Sequence, residues 1–102
     1  MQIMFYTYIL YSKSLETFYK GSTSDIVDRV NRHNSGYERY TRKGAPWILL
    51  WVAEKSDRSE AYRLEMKLKN LSRVRTIKFI LKYIDGVAGP DELLLVKQLS
   101  EC

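Results

Sequence analysis

With 102 residues, 45% of them apolar and 13% aromatic, the chain has material for one domain spanning 1–102 around one core and no room for a second. Seventeen Lys and Arg against twelve Asp and Glu leave a net charge of +5, which suits an anionic partner and equally suits a plain soluble surface. One cysteine, Cys102, excludes an internal disulfide, and Cys102 with His33 are too few soft ligands for a structural zinc site.

The longest apolar run, Ala45 to Ala53, is too short to cross a bilayer, so no membrane partner is expected. The opening Met-Gln-Ile-Met-Phe-Tyr has no basic region and runs straight into strand-like sequence. No signal peptide is expected, and a cytoplasmic location is.

Residues 4 to 11 are rich in aromatic and β-branched types and read as a strand covered on both faces. Ser12 to Thr17 is turn-like, and Phe18 to Ser22 resumes β character, which predicts an antiparallel hairpin. Alternation puts Tyr6, Tyr8 and Leu10 on one face of the first strand and Tyr19 with Gly21 on one face of the second. Whether the two faces coincide depends on register.

A helix follows, with Ser24 as its expected N-cap, Asp25 and Asp28 in its first turn, and Asn34-Ser-Gly36 as its stop. Arg29 and His33, four residues apart, point the same way beside an Ile26, Val27, Val30 stripe, at the edge between buried face and solvent. Tyr37 to Pro46 is a loop in which Arg39, Arg42 and Lys43 alternate with Tyr37 and Tyr40, suited to phosphate contact and base stacking, or simply to solvent. Trp47 to Glu54 reads as a third, buried strand.

Asp57-Arg-Ser-Glu60 resembles a capping box and opens a helix through about Leu71, with Ala61, Leu64, Leu68 and Leu71 inward. Glu65 falls within that stripe. A carboxylate there costs several kcal/mol if unpaired, so a cation, donors or a metal must meet it. Ser72 caps a third helix to Ile84, with Val74, Ile77, Leu81 and Ile84 inward, and Gly89-Pro90 starts a last helix whose Leu93 to Leu99 packs on the body. The sum is an α+β domain with a small three-stranded antiparallel sheet flanked by helices.

The order Tyr6-Thr7-Tyr8, ten residues, Tyr19-Lys20-Gly21, then Arg29, His33 and Glu65 resembles the GIY-YIG nuclease superfamily over about residues 4–71. Phe18 to His33, Thr41-Arg42 and Pro46-Trp47 look most like its small stand-alone bacterial members, similar to the N-terminal domain of an excinuclease. The resemblance implies the GIY-YIG fold and a metal-dependent endonuclease. Tyr8 matches the tyrosine closing the first signature triplet, and Tyr19 and Gly21 match the outer residues of the second. Arg29 matches the helix arginine assigned to the scissile phosphate, and His33 falls where members place a histidine or tyrosine. Glu65 matches the glutamate that binds one divalent ion, Mg²⁺ or Mn²⁺. The sequence departs from the signature at Tyr6, Thr7 and Lys20. Lys20 calls for a stem that passes the sheet edge or a more exposed second strand. Asn70 stands near, but offset from, an asparagine found in several relatives.

Phosphodiester hydrolysis needs an activated water, neutralised phosphate charge and a stabilised leaving oxygen. Under the resemblance Glu65 takes the ion, Arg29 offers a fork of donors to phosphate, and Tyr8 is the first choice of general base. A phenol ordinarily titrates near pH 10, so it needs help, whereas His33 titrates near neutrality and is the second choice or a relay. Tyr19 orients, Gly21 admits the backbone close to substrate, and Arg39, Arg42 and Lys43 contact it. The partner is DNA, with duplex, branched, flap or damaged forms and RNA all open. Repair, recombination and mobile-element biology are all compatible with it. Two other readings stand beside this one: a nucleic-acid-binding module of the same fold with little or no cleavage, and a protein-interaction module or homodimer using Leu93-Leu-Leu-Val96 of the last helix.

Overall fold

β1 (Phe5–Ser12) lies between β2 (Thr17–Thr23) and β3 (Trp47–Lys55) in one antiparallel sheet of order β2-β1-β3. The computed structural model describes residues 3–101, so the expectations that fell on Met1, Gln2 and Cys102 lie outside the described residues. The middle place goes to the strand whose residues from Thr7 to Ser12 are all buried, since only a central strand has both edges paired and both faces covered. Tyr8 stands opposite Gly21 on one side and Val52 on the other, and Leu10 opposite Tyr19 and Leu49. The two faces expected from alternation therefore coincide. Between Ile9 and Leu10 the pairing with β3 slips by one residue, a bulge that lets both Leu50 and Trp51 turn into the core.

Helices cover both faces. Ile9, Tyr11, Leu50 and Trp51 form the larger core with Leu68 of α2 (Arg58–Lys69), Ile77 and Ile80 of α3 (Arg73–Lys82) and Val96 of α4 (Pro90–Ser100). Each large aliphatic side chain buried contributes about 1.5–3 kcal/mol, and these four, with partly buried Leu64, Phe79, Leu95 and Leu99 beside them, fasten three helices to that face. The opposite face carries Tyr8, Leu10 and Trp47, against which Ile26 and Val30 of α1 (Ile26–Asn34) pack. Of the described α-helices only α1 sits on the tyrosine face, and α2 reaches β2, the open edge of the sheet, from the other side.

Several helix details differ from the sequence expectation. Asp25, not Ser24, caps α1, its carboxylate accepting from the Asp28 N–H at 3.1 Å; both residues are good caps, and the chain turns one residue later. Val27 is exposed, because the inward line runs through Ile26, Val30 and His33. α2 ends at Lys69 with Asn70 as its C-cap, short of Leu71, so Asn70 serves to close a helix. Ser72 does cap α3, but that helix stops at Lys82 and a 3₁₀ turn takes Ile84–Gly86. Val74 and Ile84 are exposed, the buried arc being centred on Ile80 with Thr76 and Ile77; Val74 lies about 120° round the helix from Ile80.

Candidate functional site

On α1 the positions i+3, i+4 and i+7 from Ile26 are Arg29, Val30 and His33, the spacing of an inward helical stripe. His33 is therefore inside the stripe and not at its solvent boundary as the sequence suggested, while Arg29 keeps the expected boundary place. His33 is fully buried and Arg29 half-buried. A cation and an imidazole in place of two apolar residues are held over the tyrosine face of the sheet by the aliphatic contacts of their neighbours Ile26 and Val30.

The Tyr8 hydroxyl lies 3.1 Å from His33 Nε2, and both side chains are shut off from solvent. The Tyr19 ring sits 4.7 Å from the imidazole and 6.4 Å from the Tyr8 ring, so two phenols and the imidazole form one aromatic cluster, with Trp47 6.0 Å beyond Tyr19. Burial pushes the Tyr8 phenol far up from its ordinary value, and Tyr19 adds to the rise; the Arg29 guanidinium beside it works the other way. Burial also lowers His33, leaving the ring neutral at pH 7 and free to accept a proton. Burial thus opposes Tyr8 as a standing phenolate, and the neutral His33 Nε2, 3.1 Å away, is the acceptor that geometry places within reach of its proton.

Gly21 explains how Tyr8 reaches the sheet edge. A β-carbon on Gly21 would stand 2.5 Å from the Tyr8 hydroxyl oxygen and 2.7 Å from Cζ, so the phenol lies where any other residue would put a side chain. Beside it, the buried Arg29 Nε–H has no hydrogen-bond partner among the described residues. A buried donor left bare costs about 1–3 kcal/mol, and such an orphan is what an incoming anion would satisfy.

Glu65 comes to the same strand from the far face. Buried on α2, it accepts from the Ser22 hydroxyl of β2 at 2.5 Å through Oε1 and pairs with Lys69 Nζ at 2.7 Å through Oε2. Its carboxylate is thus met by a donor and a cation, but the cation comes from the next turn of its own helix. The Glu65 side chain is 11% exposed and that of Lys69 46%, so the pair is open to water on the lysine side. Burial, reinforced by Glu38, raises the Tyr19 phenol, and Lys69, Glu65 and Arg29 all act on it as well. Tyr19 is within electrostatic reach of both faces of the edge strand.

Among the described residues no group of three His, Cys, Asp or Glu side chains is arranged to hold an ion. A divalent cation at this site would have Glu65 as its protein carboxylate, a donor set that fits Mg²⁺, an ion that keeps most of its waters and often takes one or two carboxylates plus substrate phosphate. The Lys69 ammonium already sits where Oε2 stabilises positive charge, and a half-exposed ion pair worth about 0–1 kcal/mol is readily exchanged.

Arg39, Arg42 and Lys43 are all exposed on the loop after α1, where a 3₁₀ turn spans Arg42–Gly44. The structure does not bring them into contact with the buried cluster. Tyr40 of that loop, with Tyr19, Lys20, Trp47 and Lys69, lines a cavity of about 590 Å³ beside the cluster. Lys20 is half-buried on the edge strand, donates to Thr76 Oγ1 at 3.0 Å and passes 6.0 Å from the Phe18 ring; burial lowers its pKa. Its stem is covered by α3, which explains how a lysine occupies an apolar position of the signature. Sequence reasoning missed Ser22 and Thr41 as partners of Glu65 and His33. Nothing local marks either one, because the contacts arise only when β2 meets α2 and the loop folds back on α1.

The GIY-YIG catalytic domain model matches residues 4–78. The UPF0213 protein of Staphylococcus haemolyticus is 34% identical over 76 residues, covering 74% of this chain and 92% of that protein. The UPF0213 protein of Halobacterium salinarum is 40% identical over 60 residues, 58% of this chain and 78% of its own length. The solution NMR structure of the UPF0213 protein from Bacillus halodurans superposes with a TM-score of 0.50 at 36% identity, covering 87% of this chain and 90% of that one. With both signature tyrosines, the glycine between strand and phenol, and the helix arginine set around one sheet edge, the chain belongs to the GIY-YIG family.

Proposed function

We propose that this protein is a cytoplasmic, metal-dependent endonuclease that hydrolyses phosphodiester bonds in DNA. The observation that carries the reading is the buried Arg29 Nε–H, without a partner among the described residues, beside the hydrogen-bonded Tyr8–His33 pair. Arg29 takes the scissile phosphate, its planar fork matching two phosphate oxygens. Tyr8 and His33 act as one unit: the attacking water gives a proton to the Tyr8 oxygen while the Tyr8 proton passes to His33 Nε2. The phenol keeps its own proton too tightly to ionise alone, so its role is to pass a proton on, and the neutral imidazole at Nε2 is the acceptor beside it. Tyr8 is fully buried in the free protein, so on this reading a path to its oxygen has to open when phosphate binds. Tyr19 orients the cluster, Gly21 gives the backbone close access, and Arg39, Arg42 and Lys43 contact the DNA backbone on either side.

Glu65 would hold one Mg²⁺ or Mn²⁺, which neutralises charge at the phosphate and leaving oxygen when bound. Ser22 holds the second carboxylate oxygen and so fixes the plane of that ligand. Purified protein should cut or nick DNA when Mg²⁺ or Mn²⁺ is added, and a panel of duplex, flap, branched and damaged DNA, with RNA, identifies the preferred form. Glu65→Ala should retain the fold and lose the cutting. Salt-sensitive retention of DNA with no cleavage at any metal concentration would replace this reading with a binding module.

A further inference from the structure

Thr41 is fully buried and has no part in the chemistry above. Its hydroxyl lies 3.1 Å from His33 Nδ1, on the opposite side of the ring from the Tyr8 contact at Nε2. The donors and acceptors along this line can be satisfied in one direction only. Arg29 lies beside Tyr8, and a guanidinium carries donors alone, so the Tyr8 proton cannot go to it. The acceptor within reach is His33 Nε2. The one proton of a neutral imidazole then sits on Nδ1 and is donated to Thr41 Oγ1, and the Thr41 proton turns to the Glu38 carbonyl oxygen at 3.5 Å. In the opposite tautomer Nε2–H and Arg29 would both aim donors at the Tyr8 oxygen, and a buried O–H would be left bare, a loss of about 1–3 kcal/mol.

Thr41 is itself held from two sides. Its carbonyl accepts from Trp47 Nε1 at 2.6 Å, and Asn34, the neighbour of His33 on α1, clamps the Trp47 backbone through both ends of its amide. The loop is thereby closed onto the helix that carries the imidazole. We infer that Thr41 is a positioning residue, fixing His33 in the Nδ1–H tautomer so that bare Nε2 faces the Tyr8 proton. The use of that tautomer rests on the nuclease reading; the tautomer itself does not. During turnover water gives one proton to the Tyr8 oxygen and Tyr8 gives one to Nε2, which leaves an imidazolium whose Nδ1–H stays on Thr41.

His33 is the one histidine of the chain, so ¹⁵N-histidine labelling reports this ring without overlap. Long-range ¹H–¹⁵N spectra of the substrate-free protein at neutral pH should show Nδ1 protonated and Nε2 bare. Thr41→Ser should keep that pattern, and Thr41→Val, of similar volume without the hydroxyl, should lose it. In cleavage assays Thr41→Val should lower kcat about tenfold to a hundredfold, part of the ~10²–10⁴ a positioned acid–base group supplies, with KM for DNA nearly unchanged and Thr41→Ser restoring the rate. A wild-type ring protonated at Nε2 overturns the proposal with no variant needed. So does a folded Thr41→Val protein with the wild-type tautomer, or one with a changed tautomer and an undiminished kcat. If the wild-type protein cuts nothing while the tautomer is as stated, the nuclease reading fails and the assignment of Thr41 to the His33 tautomer stands.

Discussion

Tyr8 and Gly21 stand opposite each other on β1 and β2, and the Tyr8 hydroxyl fills the space that a β-carbon at position 21 would need. The edge strand is thus notched at one residue, and through the notch the phenol of one face approaches the strand that Glu65 meets from the other. Gly21→Ala puts a methyl group 2.5 Å from the oxygen and 2.7 Å from Cζ, with the ring held by Tyr19 and His33. Overpacking of this kind costs about 1–3 kcal/mol, and DNA cleavage should fall with it because the phenol leaves Nε2. Pairing the change with Tyr8→Leu should recover most of the lost stability and none of the activity. Equal melting midpoints for Gly21→Ala and wild type would show that the ring gives way without cost.

Glu65→Gln separates charge from shape. The amide carbonyl can still accept from Ser22, so the helix stays docked, while the Lys69 ion pair is lost. With Lys69 about half exposed, that loss is worth no more than about 1 kcal/mol after solvent screening. Cleavage at any Mg²⁺ or Mn²⁺ concentration should vanish. Chemical denaturation paired with a cleavage assay gives both numbers, and a variant that unfolds by several kcal/mol would show Glu65 to be structural first.

The periods of two and 3.6 made much of this legible. Alternation put Tyr8 with Leu10 and Tyr19 with Gly21 on single faces, and helical spacing joined Arg29 to His33 and marked Glu65 as a carboxylate in an apolar stripe that needed a partner. The sequence could not say who the partner was. Lys69 is one turn away and could be named as a candidate, whereas Ser22 lies 43 residues distant and is chosen by how β2 meets α2. The same holds for Lys20, whose partner Thr76 is 56 residues away, and for Thr41. Local rules also misplaced what depends on the exact angle of a helix. Val27 and Val74 are apolar residues near a buried arc, and only the docked orientation decides that both face water.

Lys69 should compete with the metal. Its ammonium lies 2.7 Å from Oε2, and hydrogen bonding to Glu65 raises its pKa above the ordinary lysine value, so it is charged wherever DNA is stable. Lys69→Met keeps the stem and removes the charge. Calorimetric titration of the free protein with Mn²⁺ should then show tighter binding than in wild type, by severalfold, and Glu65→Gln should bind none. Unchanged Mn²⁺ affinity in Lys69→Met would mean that the ion does not take the place of the ammonium.

Stability should fall as the solution is acidified through the range where His33 titrates. Burial, with Arg29 and Arg32 assisting against Glu38, holds its pKa below the unfolded value of about 6.5. Between the two values the unfolded chain binds a proton that the folded chain refuses, so unfolding gains from each step down in pH. The stabilisation from keeping the ring neutral is complete above about pH 6.5 and is lost as pH drops through the folded value. The chain has a single histidine, and carboxylates ordinarily titrate near pH 4, so melting between about pH 7.5 and 5.5 isolates this group. The wild-type melting midpoint should fall across that window. His33→Gln starts lower, having lost the ring's contacts with Tyr8 and Thr41, but its midpoint should be nearly flat. A wild-type curve as flat as that of the variant would place the folded pKa of His33 at its unfolded value and remove the basis for a neutral imidazole as proton acceptor.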